Sequence, residues 1–270
     1  MSNTSAWPDL TRLTGVSEAV EEARSAIAEL RRHPANRRGW PKSAAAAGVR
    51  AARASAALDG GSQILDRDAE AITDPVLAGS MRCHAAVVSL APVWERAPLQ
   101  ALARLHTLAA ADLEHESALG RPRGSGIGPD PLPGTGSGSD PGPVPAADDR
   151  IAGRLAALAT LVTHAPWPAP VITAIVHAEV LTLQPFRSAN GVIARAAARL
   201  TMISSGLDSQ SLSVPEVGHL RREKRYRECA IGYATGDPAA VAEWIVHVCD
   251  ALAAGAREGR SIADAIGAEG

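Results

Sequence analysis

The chain has 270 residues, a formal net charge of −2, and a composition that is 46% hydrophobic with only eight aromatic residues (five Trp, two Tyr, one Phe). A near-neutral chain has no general attraction for nucleic acid or for an anionic membrane, so neither is an expected partner. Scarce aromatics and abundant Ala argue against an all-β fold and for a mostly helical one, because Ala favours helix and lets helices pack closely.

Lys42 and Lys224 are the only lysines, so Arg carries nearly all the positive charge. Cys83, Cys229 and Cys249 are scattered, with no C-x-x-C pair, which indicates neither a disulfide framework nor a zinc site. The N-terminus has no charged-then-apolar signal pattern. No run approaches the ~18 apolar residues of a membrane span, and the expected location is cytoplasmic.

In chain order, residues 1–16 read as a lead-in. Ser17 is the predicted N-cap of a first helix, with Glu18, Glu21 and Glu22 near its positive end. His33-Pro34 stops it, and Asn36–Gly39 reads as a basic loop. Pro41 is predicted to open the next helix, which runs through Leu58 to Asp59-Gly60-Gly61. An acid at 59 meets the negative helix end at a cost of about a few tenths of a kcal/mol, so an Arg brought in by packing is expected.

Asp74-Pro75 and Pro98 open two further helices. Residues 120–147, rich in Gly, Pro and Ser, break the composition and cannot form a packed element. Asp148 or Asp149 caps the next helix. After Pro166–Pro170, Val171, Ile172, Ile175, Val176, Val180 and Leu183 recur at helical spacing. Gly206 is a plausible C′ glycine. Ser213–Glu216 reads as a capping box, and one helix is predicted from there to Gly236. Asp237-Pro238 caps the last long helix, and the tail is weakly specified.

The candidate site is the turn between two apolar helices, 184–195. Pro185 ends the first helix and pushes Gln184 out of the α region. Ser188-Ala189-Asn190-Gly191 is turn chemistry, with Asn190 and Gly191 able to take φ > 0. A loop of small residues feeding a helix N-terminus turns backbone N–H groups outward and makes an anion site, and Arg195 lies one turn in.

This stretch resembles the signature of the Fic/Doc (fido) family, H-x-F-x-[D/E]-[G/A]-N-[G/K]-R-x-x-R. Phe186, Ala189, Asn190, Gly191 and Arg195 match. Gln184, Ser188 and Val192 replace the His, the acid and the first Arg. Ser55–Gly60 resembles the [S/T]-x-x-x-E-[G/N] inhibitory motif of autoinhibited Fic proteins, in which the acid pairs with the last Arg and obstructs ATP. Here Ser55, Asp59 and Gly60 match it, with Asp in place of Glu. Leu105-His106, Gly120–Arg123 and the Tyr226…Gly236-Asp237…Trp244 pattern are also similar to family features, so the resemblance covers about 55–255.

The resemblance implies an all-α fido bundle with an N-terminal helical extension. Residues 1–95 would form that extension, with the inhibitory-type helix at about 41–60. Residues 96–258 would form the core and 259–270 a tail. The 120–147 segment would hold a shortened β-hairpin flap or a disordered loop that meets a protein target.

The resemblance also implies chemistry. Family enzymes transfer AMP from Mg-ATP to a protein hydroxyl: the His is the base, the acid holds Mg²⁺, and the Asn, Gly and Arg residues hold phosphates. The amide of Gln184 cannot serve as a base, a loss worth ~10²–10⁴ in rate. The neutral hydroxyl of Ser188 is a poor Mg²⁺ ligand. Val192 binds no phosphate. His177 is two turns from Gln184 and, like His106, reads as structural.

Phe186, Arg187, Ser188, Ala189, Asn190, Gly191 and Arg195 remain as a pocket for a phosphate-containing small molecule. ATP or another nucleotide is the expected class, with Mg²⁺ dependence in doubt and no protein-held metal. The expectation is a degenerate, adenylyltransferase-like protein. The alternatives are a transferase with altered chemistry, or a pure interaction module.

Overall fold

Helix α6 (Ala169–Leu183) is apolar around its whole circumference, and such a helix must be covered on every side. Its partners are α7 (Asn190–Ser204), to which the candidate loop joins it, and α10 (Pro238–Ala268). Helices α3 (Pro75–Arg96) and α4 (Pro98–Ala109) cover α7 from another side, and α5 (Asp148–His164) closes over α6. Helix α1 (Val16–Arg32) lies along α10. Helix α2 (Asn36–Leu58) runs between α3 and α8 (Pro215–Arg221), and α9 (Glu223–Tyr233) completes the bundle against α10. The computed structural model describes residues 8–65, 71–124 and 146–268, with Arg38 described by its backbone alone. Among these residues there are ten α-helices, two short 3-10 turns and no strand, which is the expected all-α class.

The core is built by the predicted apolar residues. Leu102, Leu105, Ile151, Leu158, Val171, Val176, Leu183, Ile193 and Leu200 are all buried in one cluster with Val16, Ile27 and Leu30 of α1. The two deepest tryptophans each satisfy their indole N–H: Trp94 donates to Thr201 Oγ1 at 3.2 Å and Trp244 to the Ala174 carbonyl at 2.7 Å. Alanines at 47, 51, 52, 54 and 56 let α2 approach its neighbours closely, and Ser80 Oγ donates across to the Ala52 carbonyl at 2.9 Å. By length and composition alone, Pro75–Arg96 and Pro238–Ala268 could cross a membrane. Core helices pass the same test, and both helices contribute buried residues to this cluster.

Several ends differ from expectation. Helix α1 is capped by Gly15 at φ 75°, and Ser17 lies inside its first turn. Helix α2 begins at Asn36, so the expected basic loop is its first turn and Pro41 sits within the helix. The bonds from Asn36 N to His33 O, Arg37 N to Pro34 O and Gly39 N to Ala35 O start the coil before the ring is reached. Ser213 does not cap α8. Its hydroxyl and amide both go to Asp208, and Glu216 turns to Arg199. The single helix expected over 216–236 breaks at Arg222, whose φ −125° and ψ 40° are not helical. Residues 259–268, expected as tail, continue α10, because Gly259 and Ala263 pack inward. Asp74, Pro98 and Asp237 start their helices as expected.

Two glycines with opposite surroundings test this packing. A Cβ on Gly79 would lie 2.1 Å from the Ala109 carbonyl oxygen, and backbone cannot yield there. Gly79→Ala should therefore cost about 1–3 kcal/mol. A Cβ on Gly48 would meet nothing within 4 Å. Gly48→Ala should stabilise by about 0.5–1 kcal/mol through helix propensity. Urea midpoints of the two variants should move in opposite directions.

Candidate functional site

The site begins with how α2 stops. Gly60 adopts φ 80°, its N–H donates to the Ala57 carbonyl at 3.1 Å, and Gly61 N donates to the Ala56 carbonyl at 2.8 Å. This pair of bonds is a Schellman stop, and it leaves Asp59 as the capping residue. The helix therefore ends with the Asp59 carboxylate facing the start of α7. Oδ2 accepts the Val192 N–H at 2.9 Å, and Oδ1 lies 2.9 Å from Arg195 Nη2. A side chain on Gly191 would prevent this, because a Cβ there would lie 2.3 Å from Oδ1. The anion at the α7 N-terminus is thus supplied by the chain itself, where unpaired amides and the helix dipole favour negative charge.

Arg195 is 2% exposed and fully engaged. Its Nε donates to Ser55 Oγ at 2.8 Å, Nη2 to the Ser55 carbonyl at 2.8 Å, and Nη1 to Tyr226 Oη at 3.3 Å. Burial alone would press the guanidinium toward neutrality, but Asp59 and Tyr226 outweigh it and hold the proton more firmly. Tyr226 Oη also shares a hydrogen bond with His177 Nε2 at 2.8 Å. Arg227 Nη2 donates to the Leu58 carbonyl at 3.0 Å, so α9 holds the end of α2 from a second side. Arg199 takes no part in this pairing: it makes a buried pair with Glu216 at 2.6 Å.

The loop itself is held from the other side. The Asn190 side chain accepts from Phe186 N at 3.0 Å and donates to the Phe186 carbonyl at 2.8 Å, so its amide closes the turn. The left-handed residue is Ala189 at φ 57°, not Asn190 or Gly191, since Asn190 is already the first helical residue. Left-handed backbone costs an L-residue about 1–2 kcal/mol, and the surrounding clamps impose it. Gln184 is the left-handed C-cap of α6 at φ 46°, half-buried, and its carbonyl accepts from Arg123 Nε at 2.8 Å. Arg123 N also donates to the Pro185 carbonyl at 2.7 Å, so the Gly120–Arg123 stretch is tied directly to the loop. Residues 125–145, where the flap was expected, lie outside the described residues. The Val192 side chain is buried in the core, so only its N–H faces the site.

Sequence reasoning missed Glu114, which follows α4 and is buried. Ser188 Oγ donates to Glu114 Oε1 at 2.5 Å. His106 accepts the Gly120 N–H on Nδ1 at 2.8 Å, which places the ring proton on Nε2, 3.4 Å from the same carboxylate oxygen. The His106 ring stacks on Phe186 with centroids 4.2 Å apart and planes 7° from parallel. Burial pushes the Glu114 carboxyl up, but the contacts with His106 and Ser188 and the Arg187 charge outweigh it and hold it below the usual carboxylate value. Nothing in the local sequence around 114 signals this role, because the pairing spans 74 residues. Where the resemblance implies an acid that holds Mg²⁺, the loop carries Ser188, a neutral hydroxyl that donates to the carboxylate beside it, Glu114.

No sequence model of a known family matches this chain, and no curated protein matches it. Solved structures do. A Fic family protein from Desulfovibrio desulfuricans G20 superposes with a TM-score of 0.69 at 20% identity, covering 90% of this chain and 74% of that one. A segment of Fic-1 from C. elegans superposes with a TM-score of 0.64 at 13% identity, covering 91% and 73%.

The polar interior gives two predictions. Removing Asp59 leaves the buried Arg195 guanidinium without its carboxylate, whereas removing Arg195 leaves a carboxylate whose side chain is 22% exposed. Asp59→Ala should cost about 3–5 kcal/mol and Arg195→Ala less, about 1.5–3 kcal/mol. A double-mutant cycle by urea denaturation should recover about 1–3 kcal/mol of coupling.

Stability should also fall in acid. Burial, the largest cause, holds His177 and His219 well below 6.5 and brings His247 to about 4. Below pH ~6.5 the unfolded chain then binds more protons than the folded one, so stability drops by about 1.4 kcal/mol per pH unit per fully titrating histidine. The His247 share of that loss should be complete near pH 4, and below pH ~4.5 Glu216 adds to the loss, because Arg199 and His84 hold its carboxyl low despite burial. Denaturation midpoints at pH 7.5, 6.5 and 5.5 should decrease in that order, and His247→Gln should flatten the decline.

Proposed function

We propose that this Fic-fold chain is a phosphate- or nucleotide-binding protein related to protein adenylyltransferases, whose metal-dependent transfer to a separate protein is degenerate and whose pocket is closed by its own Asp59. The observation that carries the reading is the Asp59 carboxylate seated between the Val192 amide and the Arg195 guanidinium. A carboxylate at a helix N-terminus beside an Arg occupies the position that one face of a phosphate would take. The protein is thereby held in a self-occluded state, and opening requires the last turn of α2 to withdraw.

The remaining residues support binding over transfer. The amide of Gln184 cannot accept a proton at neutral pH, and Ser188 brings no charge for Mg²⁺. The backbone that would receive a phosphate is intact: Ala189 and Asn190 are shaped by the Phe186 clamp, and Gly191 leaves the approach open. Arg187 adds a cation beside the loop, near Glu114. The proposed regulatory role is an exchange of one anion for another. A phosphate ligand competes with Asp59, and its binding is read out as release of the α2 terminus. A protein target met through 120–147 would sense that release.

Calorimetry with ATP tests this directly. The native chain should bind weakly, since the ligand must displace a charge-assisted contact worth about 1.5–3 kcal/mol. Asp59→Gly should tighten binding by about 10-fold or more, Arg195→Ala should abolish it, and EDTA should leave it unchanged. Absence of binding to Asp59→Gly would overturn the pocket. Tight binding that requires Mg²⁺ would overturn the metal-independent reading.

A further inference from the structure

A second recess shares no lining residue with the α6–α7 loop or with the Asp59–Arg195 pair. It opens where three elements diverge: the start of α1, the break between α8 and α9 at Arg222, and the first turns of α10. Its volume is about 710 Å³, inside the range of roughly 300–1,000 Å³ usual for small-molecule sites. Leu13, Ala242 and Val246 give it an apolar interior. Gly15 brings the start of α1 against α10, since a Cβ there would meet Val246 Cγ2 at 3.6 Å. Pro238 and Ala239, both exposed, carry the apolar lining out to the rim.

Charge then selects among ligands. Two carboxylates line the recess and each is already paired, Asp250 with Arg222 at 2.8 Å and Glu243 with Arg225 at 3.1 Å. Arg12 lines it too, and among the described residues it makes no hydrogen bond or ion pair. The uncompensated charge is one guanidinium, which favours an anion and disfavours a cation. His247 supplies a second polar group. It is 4% exposed, Nε2 shares a hydrogen bond with His219 Nδ1 at 3.1 Å, and its other ring nitrogen has no partner among the described residues. Burial keeps the ring neutral at physiological pH. A neutral ring that accepts from His219 on Nε2 carries its proton on Nδ1, free for a ligand. A buried polar atom without a partner is costly, so a ligand atom that meets it gains by doing so.

We propose that this recess binds a small organic anion, an apolar body that carries one negatively charged group. The body lies against Leu13, Ala242 and Val246, the charged group meets Arg12 at the rim, and His247 takes a polar atom of the body. Arg12 is exposed, so its contact weakens with salt. The chemistry differs from that of the α7 pocket, where backbone amides and a buried guanidinium face the anion position.

The inference stands apart from the phosphate-binding reading, and its test needs no nucleotide. Anilinonaphthalene sulfonate, an aromatic body with a single sulfonate, is titrated into the full-length chain and its fluorescence is followed. Saturable binding is expected. Arg12→Gln should weaken it by about 10-fold and Arg12→Lys by less, because the charge is kept. Ala239→Trp, which places bulk at the rim, should weaken it by about 10-fold or more. Both substituted positions are exposed, so the fold should survive, and circular dichroism checks this. Phenylnaphthylamine, the same body without the sulfonate, should bind at least about 10-fold more weakly. No binding by the native chain, equal binding of the neutral analogue, or an affinity unchanged in either Arg12→Gln or Ala239→Trp overturns the proposal.

Discussion

A carboxylate placed on the open end of a helix governs this molecule. Asp59 would be misplaced on its own helix, where the dipole opposes it, yet it meets the favourable end of α7 and a buried guanidinium at once. Three features must coincide for that contact. Helix α2 must stop at residue 58, which the Gly60-Gly61 turn enforces. Residue 191 must lack a side chain. Arg195 must be held by Ser55 and Tyr226 so that its remaining capacity points at Asp59. Any anionic ligand has to compete with a partner that is always present at high effective concentration.

The same loop is clipped a second time by the region after α4. Arg123 binds the carbonyls of Gln184 and Pro185, Glu114 binds Ser188, and His106 lies flat on Phe186. These contacts hold Ala189 left-handed at φ 57°. They also give the loop a stiff frame, and a stiff frame is what places amides for an anion without the cost of ordering them at binding. The histidine and aromatic cluster behind Arg195 is the dry side of this arrangement. His177, Tyr226, His219 and His247 are neutral there, on the side of the pair where the Arg195 guanidinium is buried.

Much of the site could be read in the residues. The fold and the Asp59–Arg195 pairing were both foreseeable from two short strings in order, and the geometry brings those strings into contact. The Gly120–Arg123 string also proved to touch the loop. Glu114 could not be foreseen, because a lone acid after a helix has no periodicity and its meaning depends on a partner 74 positions away. Pro41 misled for a related reason. Proline marks a helix start only when nothing upstream has already begun to coil, and here the tight link after α1 supplied that start. Ser213 and Glu216 have capping-box spacing, yet each found a stronger charged partner in Asp208 and Arg199.

By itself the sequence determined the helical class, the apolar faces, most helix starts set by Asp-Pro or Pro, and a turn whose backbone suits an anion. These follow from short-range physics: periodicity, ring geometry and small residues. Only the tertiary structure decided which anion is there, which oxygen meets which amide, and that Ser188 faces a buried carboxylate. Those outcomes depend on where α2, α4 and α9 converge on the start of α7. That convergence is fixed by burying apolar surface across the whole bundle and leaves no mark on any one segment.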